Sequence, residues 1–398
     1  MRLNYHTPLG VKIPLYAVLT LLAVAWIPAT SPSAQVILRV PQDYPTIQAA
    51  IDAAPEGAII LISNFPLKGI YYEEVIAIRK SVTLRAEAFT AFIRGPDPLR
   101  VRALGFSAVI NIVSDVPIQV ALEDLNISQG EMMNVMWVNG PARVILKKAY
   151  ISYYYGGSGL VVEDSAHVTL QDSIVSGFFG DGLQVRNASV ELISSQVTGT
   201  KWNLGLSVSG TSQVSLQKST VSGHDGGILV VGPAQLTLQD SLIAGNEVGM
   251  EITYNIYEQP AVVTIERSQI SSNRHAGLLN QGSIVELSDS FVIGNGVDPK
   301  CHQLPLAIAC SGSGIILEGK ARLGLRSTEI RNNATWGVAA YLPQCGAPSY
   351  VPPSSVEVTW GDDKNIIENN NRSGKLSGMG NPGNHPFKNL PDGQVCLP

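Results

Sequence analysis

Aromatic and titratable side chains gather at one recurring place in this chain. Tyr153, Tyr154 and Tyr155 come first, Phe178 and Phe179 follow 24 residues after Tyr154 and Tyr155, and Lys201 with Trp202 and then His224 with Asp225 complete the series. Asp181, directly before Gly182, belongs to the same stretch. Exposed aromatic rings offer flat faces on which the C–H face of a sugar stacks. Tyr153, Tyr154, Tyr155, Phe178, Phe179 and Trp202 are therefore the candidate substrate-binding residues. Asp181, Lys201, His224 and Asp225 are the candidate catalytic ones. In a lyase, Lys201 or His224 would remove a proton beside a uronate carboxylate, with Lys201 also neutralising charge. If Asp181 and Asp225 occupied matching turn positions two repeats apart, they would stand about 10 Å from each other, near the upper limit for an inverting carboxylate pair. The competing reading is that the aromatics pack over turns or meet another chain. The run Glu131-Met132-Met133-Asn134-Val135-Met136 supplies soft sulfur for copper, but no histidine adjoins it and loop packing explains it better. No cofactor and no structural metal are expected.

The elements that must position these residues are set by an internal repeat. An apolar-x-apolar phrase is anchored at Val120, Val144, Val168, Val190, Val214, Leu236, Val263, Val285, Leu323 and Val356, with spacings of 24, 24, 22, 24, 22, 27, 22, 38 and 33. Strands this short bury no core alone, so neighbouring repeats must stack. The expected fold is all-β: a single-stranded right-handed parallel β-helix of about ten to twelve coils.

Columns through the stack support that register. Seven positions after the anchors from Val120 to Leu323 the chain places an apolar residue, from Ile127 and Ile151 to Ile330; five after them come hydroxyls, Ser173 to Thr328. Ten after it come Asn246, Asn273, Asn295 and Asn333, which would form an amide ladder at the strand spacing of ~4.8 Å. Four after the anchor, Asp124, Lys148, Asp172, Ser194, Lys218, Asp240, Arg267 and Asp289 alternate in sign wherever charged, an ion-pair ladder rather than a catalytic row. Gly159, Gly182, Gly205, Gly227, Gly249, Gly277, Gly314 and Gly337 recur before the next strand, for a positive-φ turn or for close coil packing.

The ends divide the chain further. Residues 1–34 run from Arg2 and Lys12 through an apolar stretch to Ser31-Pro32-Ser33-Ala34, the order of a signal peptide, and no later stretch is long and apolar enough to span a membrane. Residues 35–80 read as an N-terminal cap and first strands, with a short helix capped by Thr46; 81–367 as the β-helix; and 368–398, rich in Asn, Gly and Pro, as an irregular covering tail. Cys301, Cys310, Cys345 and Cys396 are expected as disulfides in an exported chain, Cys301 with Cys310 and Cys345 with Cys396. A net charge of −5 with no basic stripe excludes nucleic acid as a partner.

The opening Val40-Pro41-Gln42-Asp43-Tyr44-Pro45-Thr46-Ile47-Gln48-Ala49-Ala50-Ile51-Asp52-Ala53-Ala54-Pro55, followed by Tyr72-Glu73-Glu74 and Lys80-Ser81-Val82-Thr83-Leu84, resembles that of pectin-lyase-like right-handed β-helix proteins. The coils from about residue 120 to 367 resemble their repeats. The resemblance implies the fold, within a superfamily of pectate lyases, pectinesterases, polygalacturonases, uronan epimerases, phage tailspikes, adhesins and copper-loading proteins. It transfers no catalytic set: the pectinesterase, polygalacturonase, pectate-lyase and epimerase motifs are missing, and Gly223-His224-Asp225-Gly226 and Asp362-Asp363 are only distant approaches. The functional reading is a secreted scaffold, extracellular or periplasmic, that binds polysaccharide, a cell-surface glycan or another surface partner along one edge. A polysaccharide lyase or glycoside hydrolase is the first alternative, and a periplasmic metal-delivery accessory the second.

Overall fold

The computed structural model describes residues 35–63, 71–88, 91–97, 99, 105–129, 133–199, 203–253, 259–297, 312–347, 355–361 and 364–398. Among them, three parallel sheets of 13, 12 and 12 strands form a right-handed parallel β-helix. Each coil contributes one strand to the first sheet, one to the second and one to the third, as Ala142–Lys147, Tyr150–Tyr155 and Leu160–Glu163 do. Apolar alternation drives this: in Ala142–Lys147 every second residue is buried.

The expected core column is continuous. Ile127, Ile151, Val175, Val197, Val221, Ile243, Ile270, Val292 and Ile330 are all fully buried, and Ile93 and Ile367 extend the same register at either end. The anchor column also holds from Val120 to Leu323, but its last member is Val358, which pairs with Leu323, rather than Val356. A strand repeats every second residue, so both valines fit the pattern and only the hydrogen-bonded register separates them.

Polar columns close the coils. Within the hydroxyl column each backbone N–H donates to the hydroxyl of the next coil: Ala149 to Ser173, Ser173 to Ser195, Ser195 to Ser219 and Ser219 to Ser241, at 3.0–3.1 Å. The asparagine ladder is longer than the sequence suggested. Asn246, Asn273, Asn295, Asn333 and Asn370 follow one another, and Gln394 ends the row by accepting from the Asn370 backbone and side-chain amides at 3.0 and 2.9 Å. The charged column has a backbone explanation: from Asp124 to Asp289 its members sit at φ of 46 to 56°, the left-handed corner between first and second sheets. Arg267 pairs with Asp240 across that corner at 2.9 Å. Of the two reasons offered for the recurrent glycines, close packing holds. A Cβ on Gly249 would stand 2.3 Å from the Gly277 carbonyl oxygen and 2.7 Å from Asn273 Nδ2.

Both ends are covered. Helix α1 (Ile47–Ala53) buries Ile47, Ala50 and Ile51 over the first coil; Thr46 Oγ1 accepts from the Ala49 N–H, and Glu74 accepts from those of Ile47 and Gln48 at 2.9 and 3.0 Å. At the other end the tail is more regular than expected. Val395–Cys396 pairs as a strand with Val338–Ala340, and Phe387 packs edge-on to Trp360 with ring centroids 5.0 Å apart. A disulfide joins Cys345 to Cys396; Cys301 and Cys310 lie outside the described residues. No helix among the described residues is long and apolar enough to cross a membrane.

Candidate functional site

The turn that carries the candidate residues leads from the second sheet to the third. Residues nine after the anchor point inward here, so Tyr153 enters the core, 3 % exposed, beside its paired neighbours Gln129 and Gly177. Its ring lies flat where Gly177 lacks a side chain: a Cβ there would stand 2.2 Å from Tyr153 Cζ. Burial, and secondarily the charge of Asp181, push the phenol well above its ordinary range.

His224 does the mirror-image thing from the other side. It occupies the ladder position one coil before Asn246, and its backbone N–H donates to Asn246 Oδ1 at 3.0 Å. The ring is 3 % exposed and reaches back over Gly199, whose added Cβ would stand 2.3 Å from Cε1 and 2.4 Å from Nδ1. Burial pulls the imidazole down to about 4, against the weaker opposing pull of the Val197 backbone and of Asp181 and Asp225. Among the described residues neither Tyr153 Oη nor His224 Nε2 has a hydrogen-bond partner.

Asp181 is held firmly. One carboxylate oxygen accepts from Gln184 Nε2 at 2.8 Å and the other from the Leu204 N–H at 3.0 Å, so the side chain ties one coil to the next. Asp225 does not occupy the matching position. The register aligns Asp181 with Leu204 and Gly226, whereas the Asp225 N–H donates to the Asn203 carbonyl. The pair geometry imagined from sequence assumed equal turn lengths, and the turns differ.

Phe179 is 38 % exposed on this edge and Tyr150 38 % exposed at the start of its strand in the second sheet. The side chains of Tyr154, Tyr155 and Phe178, and all of Lys201 and Trp202, lie outside the described residues. So do Glu131 and Met132, whereas Met133 and Met136 are buried. Glu251, on the outer side of the third sheet between Leu229 and Leu279, was not singled out by sequence; burial and then Glu318 raise its carboxyl. Its isolated charge within an apolar column was the signal available.

A family model described as a right handed beta helix region matches residues 134–296. No curated protein sequence matches the chain. The A-module of a mannuronan C-5 epimerase from Azotobacter vinelandii superposes with a TM-score of 0.51 at 12 % identity, covering 81 % of this chain and 93 % of that one. Tailspike protein 3 of bacteriophage CBA120 gives 0.44 at 10 % identity, covering 81 % and 58 %. The catalytic domain of a GH87 alpha-1,3-glucanase gives 0.40 at 12 %, covering 84 % and 70 %. At these identities the likeness concerns the fold alone.

Proposed function

We propose that the protein is an exported β-helix scaffold that binds polysaccharide along the edge from Tyr153 to Asp225, rather than an enzyme that cleaves it. The state of the titratable groups carries this reading. A general acid or base must reach its substrate with a mobile proton. His224 is buried beneath its turn, and both carboxylate oxygens of Asp181 are committed to joining coils. Asp181 and Asp225 are half-buried, whereas Phe179 turns its aromatic surface to solvent, and Trp202 follows it one repeat later in sequence. Export is read from the order of residues 1–34 and accords with the Cys345–Cys396 disulfide. The epimerase that shares the fold is named for a polysaccharide, which accords with a carbohydrate-related role.

Binding and turnover measured together on a panel of uronans and neutral glycans test the proposal. Trp202→Ala is expected to weaken binding about tenfold, and Asp181→Asn much less. Unchanged binding by Trp202→Ala removes the stacking platform. Turnover of any polysaccharide that Asp181→Asn abolishes while binding persists puts the lyase or hydrolase reading first.

A further inference from the structure

The second sheet turns an unusual face outward. Ser128, Ser152, Ser176, Thr198 and Ser222 stand in register on successive coils, none of them buried. Their hydroxyls make no hydrogen bond within the described residues. The inner column of the same chemistry behaves oppositely: Ser173, Ser195 and Ser219 are buried, and each hydroxyl accepts from a backbone N–H of the preceding coil and donates to a carbonyl of that same coil.

The second outward column of this sheet runs from Asn126 through Tyr150 and Gln196 to Phe291. From Asn126 and Ser128 to Phe291 and Ile293, neither column carries a charged side chain. Charge returns at Arg94 on one end and at Glu329 and Arg331 on the other, and the last two pair with each other at 3.2 Å. The outer face of the first sheet differs, with Arg143, Lys147, His167 and Glu191 among its outward residues.

We infer that this strip binds an extended neutral polysaccharide lying along the helix axis, an inference that rests on the glycan-binding reading above and extends it to substrate class. A neutral sugar chain presents hydroxyls and C–H faces. The unengaged serine hydroxyls repeat at the coil spacing of ~4.8 Å, a step comparable with one pyranose ring of an extended chain. Tyr150 and Phe92, 38 % and 44 % exposed beside this column, supply stacking area. Neither column carries a cation between Ser128 and Ile293, and the bordering corner alternates Lys148 and Lys218 with Asp124, Asp172 and Asp240, so a uronan with a carboxylate at every ring would meet no continuous row of cations, and an unpaired desolvated charge is costly. The strip adjoins the proposed edge, since Ser152, Ser176 and Ser222 stand within two residues of Tyr153, Phe178 and His224.

Affinity electrophoresis of the mature chain in gels containing neutral β-glucan, mannan, polygalacturonate or alginate tests this. Retardation is expected in at least one neutral gel and in neither polyuronate gel. Joint substitution Ser152→Lys and Ser176→Lys should weaken the neutral interaction about tenfold or more with an unchanged thermal midpoint, while Ser215→Lys on the first sheet binds as wild type. Retardation by polyuronates alone, relieved by salt, overturns the neutral assignment and leaves the glycan reading standing. No retardation in any gel removes both. Neutral binding that survives both lysines, or a wild-type dimer that they dissolve, overturns this use of the face.

Discussion

His224 stands where the following coils place an asparagine amide, and its chemistry differs in one measurable way. An amide has no titration in the physiological range, whereas the buried imidazole must stay neutral. Its folded value of about 4 lies below the ordinary 6.5, so the unfolded chain binds the extra proton first. The stability contributed by neutral His224 is complete above about pH 6.5 and is lost as pH falls through about 4. The whole effect is at most roughly 3 kcal/mol. Denaturant unfolding between pH 4 and 7 should show a shallower acid loss in His224→Asn than in wild type, and parallel profiles would refute the buried neutral ring. Tyr153 gives a second test at this scale. Gly177→Ala would drive a methyl into the Tyr153 ring and should cost about 1–3 kcal/mol, and Tyr153→Ala in the same chain should restore part of it.

At the scale of an element, the two inner polar columns differ in how much each member holds. Asn295 accepts from the Asn273 backbone and side chain at 3.1 and 2.9 Å and donates to Asn333 Oδ1 and the Ile270 carbonyl at 3.0 and 3.2 Å. Ser219 accepts from the Ser195 N–H and donates to the Leu192 carbonyl, both at 3.1 Å. Removing either leaves buried donors without acceptors, each at a cost of about 1–3 kcal/mol. Asn295→Ala should therefore destabilise clearly more than Ser219→Ala in chemical denaturation. Equal losses would mean that the ladder relaxes around the gap.

Over the whole molecule, residues 36–398 form one unit, and its stack of coils needs both ends closed. The C-terminal closure depends on the tail strand Val395–Cys396, on Gln394 at the end of the ladder and on the Cys345–Cys396 bond across 51 residues. Replacing both cysteines by serine should cost about 2–4 kcal/mol. The loss should be local: limited proteolysis is expected to trim the tail first, with the coils before Asn333 still protected. Cleavage beginning in the middle coils would show that the bond acts on the stack as a whole.

The coil period, the inward columns and the α1 cap were legible in the amino-acid order because burial imposes a period of two within a strand and of one coil between strands, and both appear directly as residue type. The ladder was legible as far as Asn333. Asn370 and Gln394 escaped because insertions break the spacing, and a change from asparagine to glutamine hides a hydrogen bond that only position makes. The same limit explains Val356 against Val358: an alternating pattern is satisfied by either, and the choice belongs to the pairing with Leu323. At the candidate edge, residue type and spacing brought the right turn forward but left the direction of each side chain open. Tyr153 and His224 turn inward because Gly177 and Gly199 on adjoining coils leave room for their rings, and Asp181 is occupied because Leu204 brings an N–H to it. Those facts join coils far apart in sequence, so only the tertiary structure decided them.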